Sequence, residues 1–283
     1  MPEGPEVCII ANVLYEKCKG KIISHVLVCQ DSRYYHEQKD KFKNIVSMEI
    51  IEIASKGKKI FFILFSEKKE KIYLVSSLGM EGRWKYEQSV DPETRHLSIA
   101  IFLSSGICLN FYDHRHFGHL DIVKDLPKAL SQLGPSWLSS VVDGNSSKIT
   151  IDEFVSLLQN KRLHKKKIMD FLLDQKYTSG VGNYIRAEAL YMAKINPYRL
   201  INSLLPKEAK LLFDSIMDVV QKSLEANGHT LKSYFTPIGE KGGYVPIIYG
   251  KDSDPDGNTI RRDQDSTGRT IHWCPAVQGS DTI

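Results

Sequence analysis

Apolar, β-branched runs alternate with charged or glycine-containing turns in the first half of the 283-residue chain. This pattern predicts strands, which we place at 22–29, 45–53, 59–65, 72–78, 97–103 and 107–112. Before them, Pro5 suits the first turn of a helix, and Val7, Ile10, Ala11 and Leu14 follow at roughly helical spacing. The first half therefore predicts a β-sandwich that is preceded by an N-terminal helix.

Helical spacing replaces the strand pattern in the second half. Thr150 and Glu153 form a capping box ahead of an apolar helix. We place further helices at about 165–175, 184–193 and 206–226, and a hairpin from Thr259 to Cys274. The sequence thus predicts an α+β protein with an N-terminal domain at 1–125, a linker at 126–149 and a helical domain at 150–283.

The composition is that of an ordinary globular protein, with 42% hydrophobic and 25% charged residues. The net charge of +4 favours an anionic partner only slightly. The five cysteines are odd in number and contain no C-x-x-C pair, which argues against a disulfide framework and against a cysteine-rich zinc site. Because we find no signal peptide and no apolar run of bilayer length, we expect a soluble intracellular protein.

Candidate chemistry stands at the N-terminus, in the sequence Met-Pro-Glu-Gly-Pro-Glu-Val. Loss of Met1 would leave Pro2 as a terminal secondary amine, a group that condenses with the anomeric carbon of a sugar to give an iminium. Glu3 and Glu6 flank the start of the predicted helix, where its dipole favours ionised carboxylates and where one of them can transfer a proton. The alternative from these residues alone is a charged first turn on an ordinary helix.

A second motif spans residues 173–191 and contains Gly180-Val181-Gly182-Asn183. Its glycines allow a backbone turn to approach a phosphate, and the following helix offers free N–H groups. This segment resembles the helix-two-turn-helix of the Fpg/Nei DNA glycosylases, and the first seven residues resemble the start of the same family. The resemblance implies that Pro2 forms a Schiff base, that Glu3 transfers protons at the sugar, that Glu6 helps to hold the site, and that Asn183 binds phosphate.

Three further segments resemble motifs of this family. Ser55 to Phe62 places Lys58 at the position of the catalytic lysine, where it is expected to bind the phosphate beside the lesion. The segments 78–80 and 113–118 resemble the two loops that enter the duplex, which implies that Met80, Arg115 and Phe117 fill the space left by an everted nucleotide. His116 follows Arg115 where an arginine is commoner, so we expect a weaker or pH-sensitive phosphate contact there.

The C-terminal segment departs from the four-cysteine zinc finger of bacterial relatives. Cys274 matches the third cysteine, Val277 stands at the fourth, and residues 255–259 contain none, so we expect neither a metal nor any other cofactor. The segment at about 245–283 resembles the zincless finger of the endonuclease VIII-like branch. This resemblance implies that Arg269 reaches a phosphate and that Lys241 contacts the damaged base.

These resemblances predict a monomeric, bifunctional DNA glycosylase and lyase of base excision repair that acts on damaged, double-stranded and possibly single-stranded DNA, in whichever compartment holds the DNA. The zincless finger favours oxidised pyrimidines and hydantoins as substrates, with β- and δ-elimination after base removal. One alternative is an 8-oxoguanine-directed enzyme of the Fpg type. The other is a damaged-DNA-binding protein without catalysis.

Overall fold

A computed structural model describes residues 1–90, 94–230 and 234–279. Helix α1 (Gly4–Cys18) precedes two four-stranded antiparallel sheets, with a second helix, α2 (Tyr34–Lys43), after the first strand. One sheet has the order β1-β6-β7-β5 and the other β2-β3-β4-β8. The strands are β1 (Ile23–Val28), β2 (Glu49–Lys56), β3 (Lys59–Phe65), β4 (Lys71–Ser77), β5 (Arg83–Glu87), β6 (Leu97–Leu103), β7 (Cys108–Tyr112) and β8 (His119–Val123). The predicted β-sandwich with an N-terminal helix is confirmed.

Aromatic side chains join the two sheets of the sandwich. The Trp84 ring on β5 lies 5.3 Å from Phe62 on β3 and 5.0 Å from Phe111 on β7, measured between ring centroids. The indole N–H of Trp84 donates to the hydroxyl of Ser76 on β4 at 3.0 Å, so its polar atom is satisfied inside the core. These contacts hold the sheets face to face, which fixes the strand ends that carry the candidate site.

The second half contains helices and a terminal hairpin. Its helices are α4 (Ile151–Leu158), α5 (Ile168–Leu173), α6 (Asn183–Met192), α7 (Pro206–Glu225) and α8 (Pro275–Gln278), and its hairpin pairs β11 (Arg261–Gln264) with β12 (Thr270–Trp273). Trp137, Phe154 and Phe171 lie in its separate core. The α+β class and the helix-two-turn-helix element at α5 and α6 are confirmed.

The predicted linker at 126–149 contains regular structure. It holds helix α3 (Leu126–Leu130) and a short hairpin of β9 (Ser140–Val142) and β10 (Asn145–Ser147). Leu126, Leu130 and Val142 pack with Phe61 and Ile63 on the outer face of the second sheet. This segment therefore covers the sheet face that the sandwich interior leaves open.

Several elements differ from the sequence prediction. The strand predicted at 45–53 begins only at Glu49, because the residues before it form turns and Ser47 has a φ of 65°. Helix α2 and strands β5 and β8 were not predicted, since charged residues interrupt their apolar spacing. The five cysteines are free thiols. No helix among the described residues is long and apolar enough to span a bilayer.

Glycines allow the two halves of the chain to meet at the N-terminus. The N–H of Gly4 donates to the carbonyl of Gly180 at 2.9 Å. Gly57 has a φ of +57°, and a Cβ there would lie 2.6 Å from the Cβ of Ser179. Any side chain at Gly57 would therefore separate the β2–β3 turn from the segment before α6.

We predict that Gly57→Ala lowers the free energy of unfolding by about 1–3 kcal/mol more than Gly106→Ala. Both glycines have a positive φ, at +57° and +82°, but nothing lies within 4 Å of a Cβ at Gly106. Gly106→Ala is therefore a control that introduces backbone strain at a positive φ but no steric clash. Urea unfolding measures both variants, and equal losses would contradict the close junction.

Candidate active site

Glu3 lies at the N-terminus of α6 with 2% of its surface exposed. Its carboxylate accepts hydrogen bonds from the backbone N–H groups of Gly182 at 2.6 Å, Tyr184 at 2.9 Å and Ile185 at 3.3 Å. Burial raises the pKa of Glu3, while Lys58 and the backbone donors oppose that rise. Glu3 is therefore a buried carboxyl group that is suited to exchanging a proton.

Glu6 is fully buried one helical turn later and connects four parts of the chain. It accepts hydrogen bonds from the N–H of Glu3 at 2.8 Å, the hydroxyls of Tyr184 and Ser223 at 3.0 Å each, and the N–H of His229 at 2.9 Å. A buried carboxylate with this many donors is well compensated. Glu6 thus fixes the first residues of the chain against α6, α7 and the segment that follows α7.

Lys58 approaches the same point from the turn between β2 and β3. A Cβ added at Gly182 would lie 2.4 Å from the Lys58 ammonium and 2.4 Å from a carboxylate oxygen of Glu3. Only glycine at position 182 leaves room for both groups against the backbone. Burial lowers the pKa of Lys58, partly offset by the nearby Glu3 carboxylate.

Pro2 is buried beside these groups, and Met1 precedes it half-buried. Burial lowers the pKa of the terminal amine, whereas Glu3 and Glu6 raise it and Lys58 lowers it again. The start of the chain therefore lies within the electrostatic field of all three side chains. With Met1 attached, the Pro2 nitrogen is an amide and not a nucleophile, so the predicted chemistry depends on removal of Met1.

A buried ion pair that the sequence analysis missed links Asn183 to the turn that carries Arg269. The Arg186 guanidinium contacts the Asp265 carboxylate at 2.7 Å, and both side chains are fully buried. Arg186 also donates to the amide oxygen of Asn183 at 3.4 Å, which leaves the Asn183 NH₂ group available to a ligand. The positive charge of Arg269 adds a smaller contribution to the lowered pKa of Lys58, after burial.

The turn that carries Arg269 is ordered by Asp265. Its carboxylate accepts hydrogen bonds from the N–H of Thr267 at 2.8 Å and the N–H of Arg269 at 3.0 Å. Burial acts to raise the pKa of Asp265, but hydrogen bonds from Thr267 and Arg186 outweigh it and lower this pKa to about 2. The exposed Arg269 side chain therefore extends from a turn of fixed geometry. Cationic and amide side chains such as these are the groups that bind phosphate in nucleic-acid complexes.

The two predicted insertion loops contact each other at the protein surface. Met80 and Phe117 are 42% and 54% exposed. The Arg115 guanidinium lies 5.0 Å from the Phe117 ring and 3.8 Å from the Glu81 carboxylate. Gly79 approaches Phe117 so closely that a Cβ there would lie 2.4 Å from its carbonyl carbon. The structure thus presents the three predicted side chains together.

Two assigned residues lie away from the Glu3 region. His116 is exposed in the second insertion loop with a φ of 56°, and its carbonyl accepts a hydrogen bond from Arg33 at 3.0 Å. Lys241 lies on an exposed loop, 5.7 Å from the Phe235 ring. The contacts predicted for both, to phosphate and to the damaged base, stay predictions.

His229 was also missed, because no motif marks it. Its side chain is 5% exposed and lies 4.7 Å from the Tyr184 ring, and neither ring nitrogen has a hydrogen-bond partner among the described residues. Burial lowers its pKa to about 4, so the imidazole is neutral near pH 7. This neutral ring packs directly against the side chain that donates to Glu6.

The finger is held by a hydrogen-bonded carboxylate at the place where relatives have cysteine ligands. Asp254 accepts from the Asn258 N–H at 2.8 Å, the Asn258 amide at 3.0 Å and the Tyr191 hydroxyl at 3.1 Å. The Cys274 thiol donates to the same carboxylate at 3.6 Å. Among residues 1–90, 94–230 and 234–279, no group of three potential ligands could hold a metal ion. Residues 280–283 of the predicted finger lie outside the described residues.

We predict that Asp254→Ala lowers the melting temperature by several degrees, because it removes the acceptor for all of these donors. Asp256→Ala is the matched control, since that side chain is exposed in the same turn. A metal chelator should leave the melting temperature of the unmodified protein unchanged. Calorimetry measures the melting temperature of both variants and of the chelator-treated protein. Equal melting temperatures for Asp254→Ala and Asp256→Ala would contradict a stabilising role of the Asp254 carboxylate.

Comparisons with known families agree with this geometry. Residues 1–120 match the formamidopyrimidine-DNA glycosylase N-terminal domain, and residues 141–234 match the formamidopyrimidine-DNA glycosylase H2TH domain. The formamidopyrimidine-DNA glycosylase of Enterococcus faecalis is 30% identical over 98% of this chain and 97% of its own. That of Bacillus subtilis is 30% identical over 98% and 99%. The chain belongs to the formamidopyrimidine-DNA glycosylase family.

Solved structures give the same result for the fold. A mutant of the Lactococcus lactis enzyme bound to DNA containing Fapy-dG has a TM-score of 0.84 at 25% identity, covering 99% of this chain and 100% of that one. MutM bound to DNA containing carbocyclic 8-oxo-G has a TM-score of 0.84 at 26% identity, with the same coverage. These relatives carry Fpg or MutM names, so the predicted endonuclease VIII-like branch is not specifically supported.

Proposed function

We propose that this protein removes oxidised purines, of the formamidopyrimidine and 8-oxoguanine class, through a Schiff base at Pro2. As a member of its family it is a DNA N-glycosylase with lyase activity, and damaged DNA is its partner. The zincless finger favoured oxidised pyrimidines and hydantoins in the sequence analysis. Relatives that match along the whole chain carry the formamidopyrimidine name, and this supports the alternative of a purine-directed enzyme.

The observation that carries the mechanism is the position of Glu3 between the start of α6 and Lys58. The carboxyl group is buried, hydrogen-bonded to three N–H groups and close to a buried ammonium. Such a group keeps a fixed orientation and exchanges its proton readily when its pKa is raised. It adjoins Pro2 in the chain, so a sugar that reaches Pro2 also reaches Glu3.

The reaction begins at the Pro2 nitrogen, which is a free amine once Met1 has been removed. The Pro2 nitrogen forms a bond to C1′ as the glycosidic bond breaks, and the base leaves with the electron pair of that bond and takes up the proton that the nitrogen loses. Glu3 supplies a second proton to the ring oxygen as the C1′–O4′ bond breaks, which opens the sugar and leaves the iminium. Loss of a proton from C2′ then expels the 3′ phosphate, and a second elimination expels the 5′ phosphate.

The remaining assigned residues hold the DNA around this reaction. Lys58, Asn183 and Arg269 bind the phosphates next to the damaged nucleotide, and Glu6 positions the start of the chain. Met80, Arg115 and Phe117 occupy the stack after the nucleotide has left it, which offsets an unstacking cost of a few kcal/mol. The exposure of Met80 and Phe117 in the free protein supports this assignment.

Borohydride trapping on an abasic duplex tests the nucleophile. We expect a covalent adduct on the Pro2 nitrogen in protein that begins at Pro2, and none on that nitrogen in protein that retains Met1, where it is an amide. Pro2→Gly should lose most of the base excision, and Glu3→Gln should slow it by about 10²- to 10⁴-fold.

Lys58→Arg is the matched control for this trapping experiment, because it keeps the positive charge and removes the other buried amine. It should still form the adduct. An adduct that persists in Met1-retaining protein and disappears in Lys58→Arg would contradict the proposal and transfer the chemistry to Lys58.

Single-turnover excision tests the class of lesion. We expect removal of formamidopyrimidine or 8-oxoguanine from a duplex to be at least about tenfold faster than removal of thymine glycol, a difference of about 1.4 kcal/mol in the barrier. A duplex without damage is the control. Faster removal of thymine glycol would favour the pyrimidine-directed prediction and contradict the proposed preference.

A further inference from the structure

A cavity of about 890 Å³ opens on the N-terminal domain, away from Glu3 and Lys58. Its walls come from the edge strand β1, from α2 and from the segment before β6. Among the lining residues in the part of the chain that the structure describes, Asp31 is the one carboxylate. The lining residues that carry or can acquire a positive charge are His25, Lys39, Lys43, Arg95, His96 and His116. We call this cavity the β1–α2 groove, and its charge is complementary to a polyanion.

The groove is continuous with the second insertion loop. His116 belongs to that loop and also lines the groove. Arg33, which precedes α2, donates to the His116 carbonyl at 3.0 Å, and the Tyr34 hydroxyl accepts from the Leu120 N–H at 2.9 Å. These bonds attach the start of α2 to His116 within the loop and to Leu120 on β8 just after it, so DNA that engages the loop has the groove beside it.

Two lysines of α2 are available for phosphate binding. Lys39 and Lys43 are four residues apart and therefore lie on the same side of the helix. The Lys39 ammonium lies 4.4 Å from the Tyr35 ring, and Lys43 contacts the Asp40 carboxylate at 2.6 Å. Asp40 and Lys43 are both strongly exposed, and exposed pairs contribute little, so a phosphate competes with them easily.

We propose that the β1–α2 groove binds the phosphate backbone of the undamaged, complementary strand beyond the insertion loops. This inference rests on the proposed function, which assigns the damaged strand to Lys58, Asn183 and Arg269. Those residues come from the β2–β3 turn and from the second domain. The groove adjoins the loop whose Arg115 faces the orphaned base, and that base belongs to the complementary strand.

The test compares DNA affinity across salt concentrations for two lesion-containing duplexes. One duplex extends well beyond the lesion on both sides, and the other ends a few base pairs from it. The double variant Lys39→Gln/Lys43→Gln should bind the long duplex more weakly. The slope of log affinity against log salt should fall by up to about 1.8 units, since each phosphate contact contributes about 0.9. Affinity for the short duplex should stay unchanged.

Lys210→Gln/Lys222→Gln is the matched control. Both lysines are exposed on α7 and pair with aspartates four residues away, so the variant removes the same charge from another helix. Arg95→Gln tests the opposite wall of the groove, and this variant should also bind the long duplex more weakly. The proposal is contradicted if the α2 variant behaves like the control, or if it weakens binding to both duplexes alike.

Borohydride trapping on the short duplex separates this proposal from the proposed function. The α2 double variant should trap as much adduct as the unmodified protein on that duplex. If the unmodified protein forms no adduct, the proposed function fails. Loss of salt-dependent affinity in the α2 variant on the long duplex still supports the groove as a DNA-binding surface.

Discussion

The carboxylate of Glu3 accepts hydrogen bonds from the first N–H groups of α6, and the candidate site depends on this contact. It brings the start of the chain from one domain to a helix N-terminus of the other, where the dipole favours a negative charge. Gly182 makes the contact possible, since a side chain there would occupy the positions of both Glu3 and Lys58. A single close approach of backbone therefore determines where two reactive groups lie.

Helix α6 organises most of what surrounds that contact. Tyr184 extends its hydroxyl to Glu6, while Arg186 reaches the turn of the terminal hairpin through Asp265. Two residues after Arg186, the buried Glu188 accepts hydrogen bonds from consecutive N–H groups at 247–249, at the start of the finger. The finger is thus attached to the same helix that receives Glu3. Within the finger, the Asp254 carboxylate links Asn258 to Cys274 by hydrogen bonds.

Much of this arrangement could be predicted from the sequence because it lies in short motifs. Special backbone geometry and reactive side chains occur together in the first seven residues, in the turn with Gly180 and Gly182, and in the β2–β3 turn with Lys58. Arg186, Asp265 and His229 could not be predicted in this way. Their roles come from burial against residues distant in the chain, and a buried arginine looks like any other arginine in a sequence.

Elements of the fold that depend on packing between distant residues were also missed in the sequence. Alternating apolar runs predicted most strands of the sandwich, whereas β5 and β8 carry charged residues that hide the alternation. Helix α2 is rich in polar residues, so its helical character follows from packing of Tyr34 and Phe42 into the sandwich core. The segment at 126–149 contains turn-forming residues typical of a linker, but its few apolar side chains cover a sheet face.

Two buried nitrogens lie near Glu3, that of Pro2, which is an amine once Met1 is lost, and that of Lys58. We assign the covalent step to Pro2. Proteolysis of the borohydride-reduced DNA adduct, followed by mass spectrometry, identifies the modified peptide directly. The account predicts that the added mass lies on the N-terminal peptide, at the nitrogen of Pro2, in protein that has lost Met1. Added mass on the peptide that contains Lys58, with an unmodified N-terminus, would contradict it.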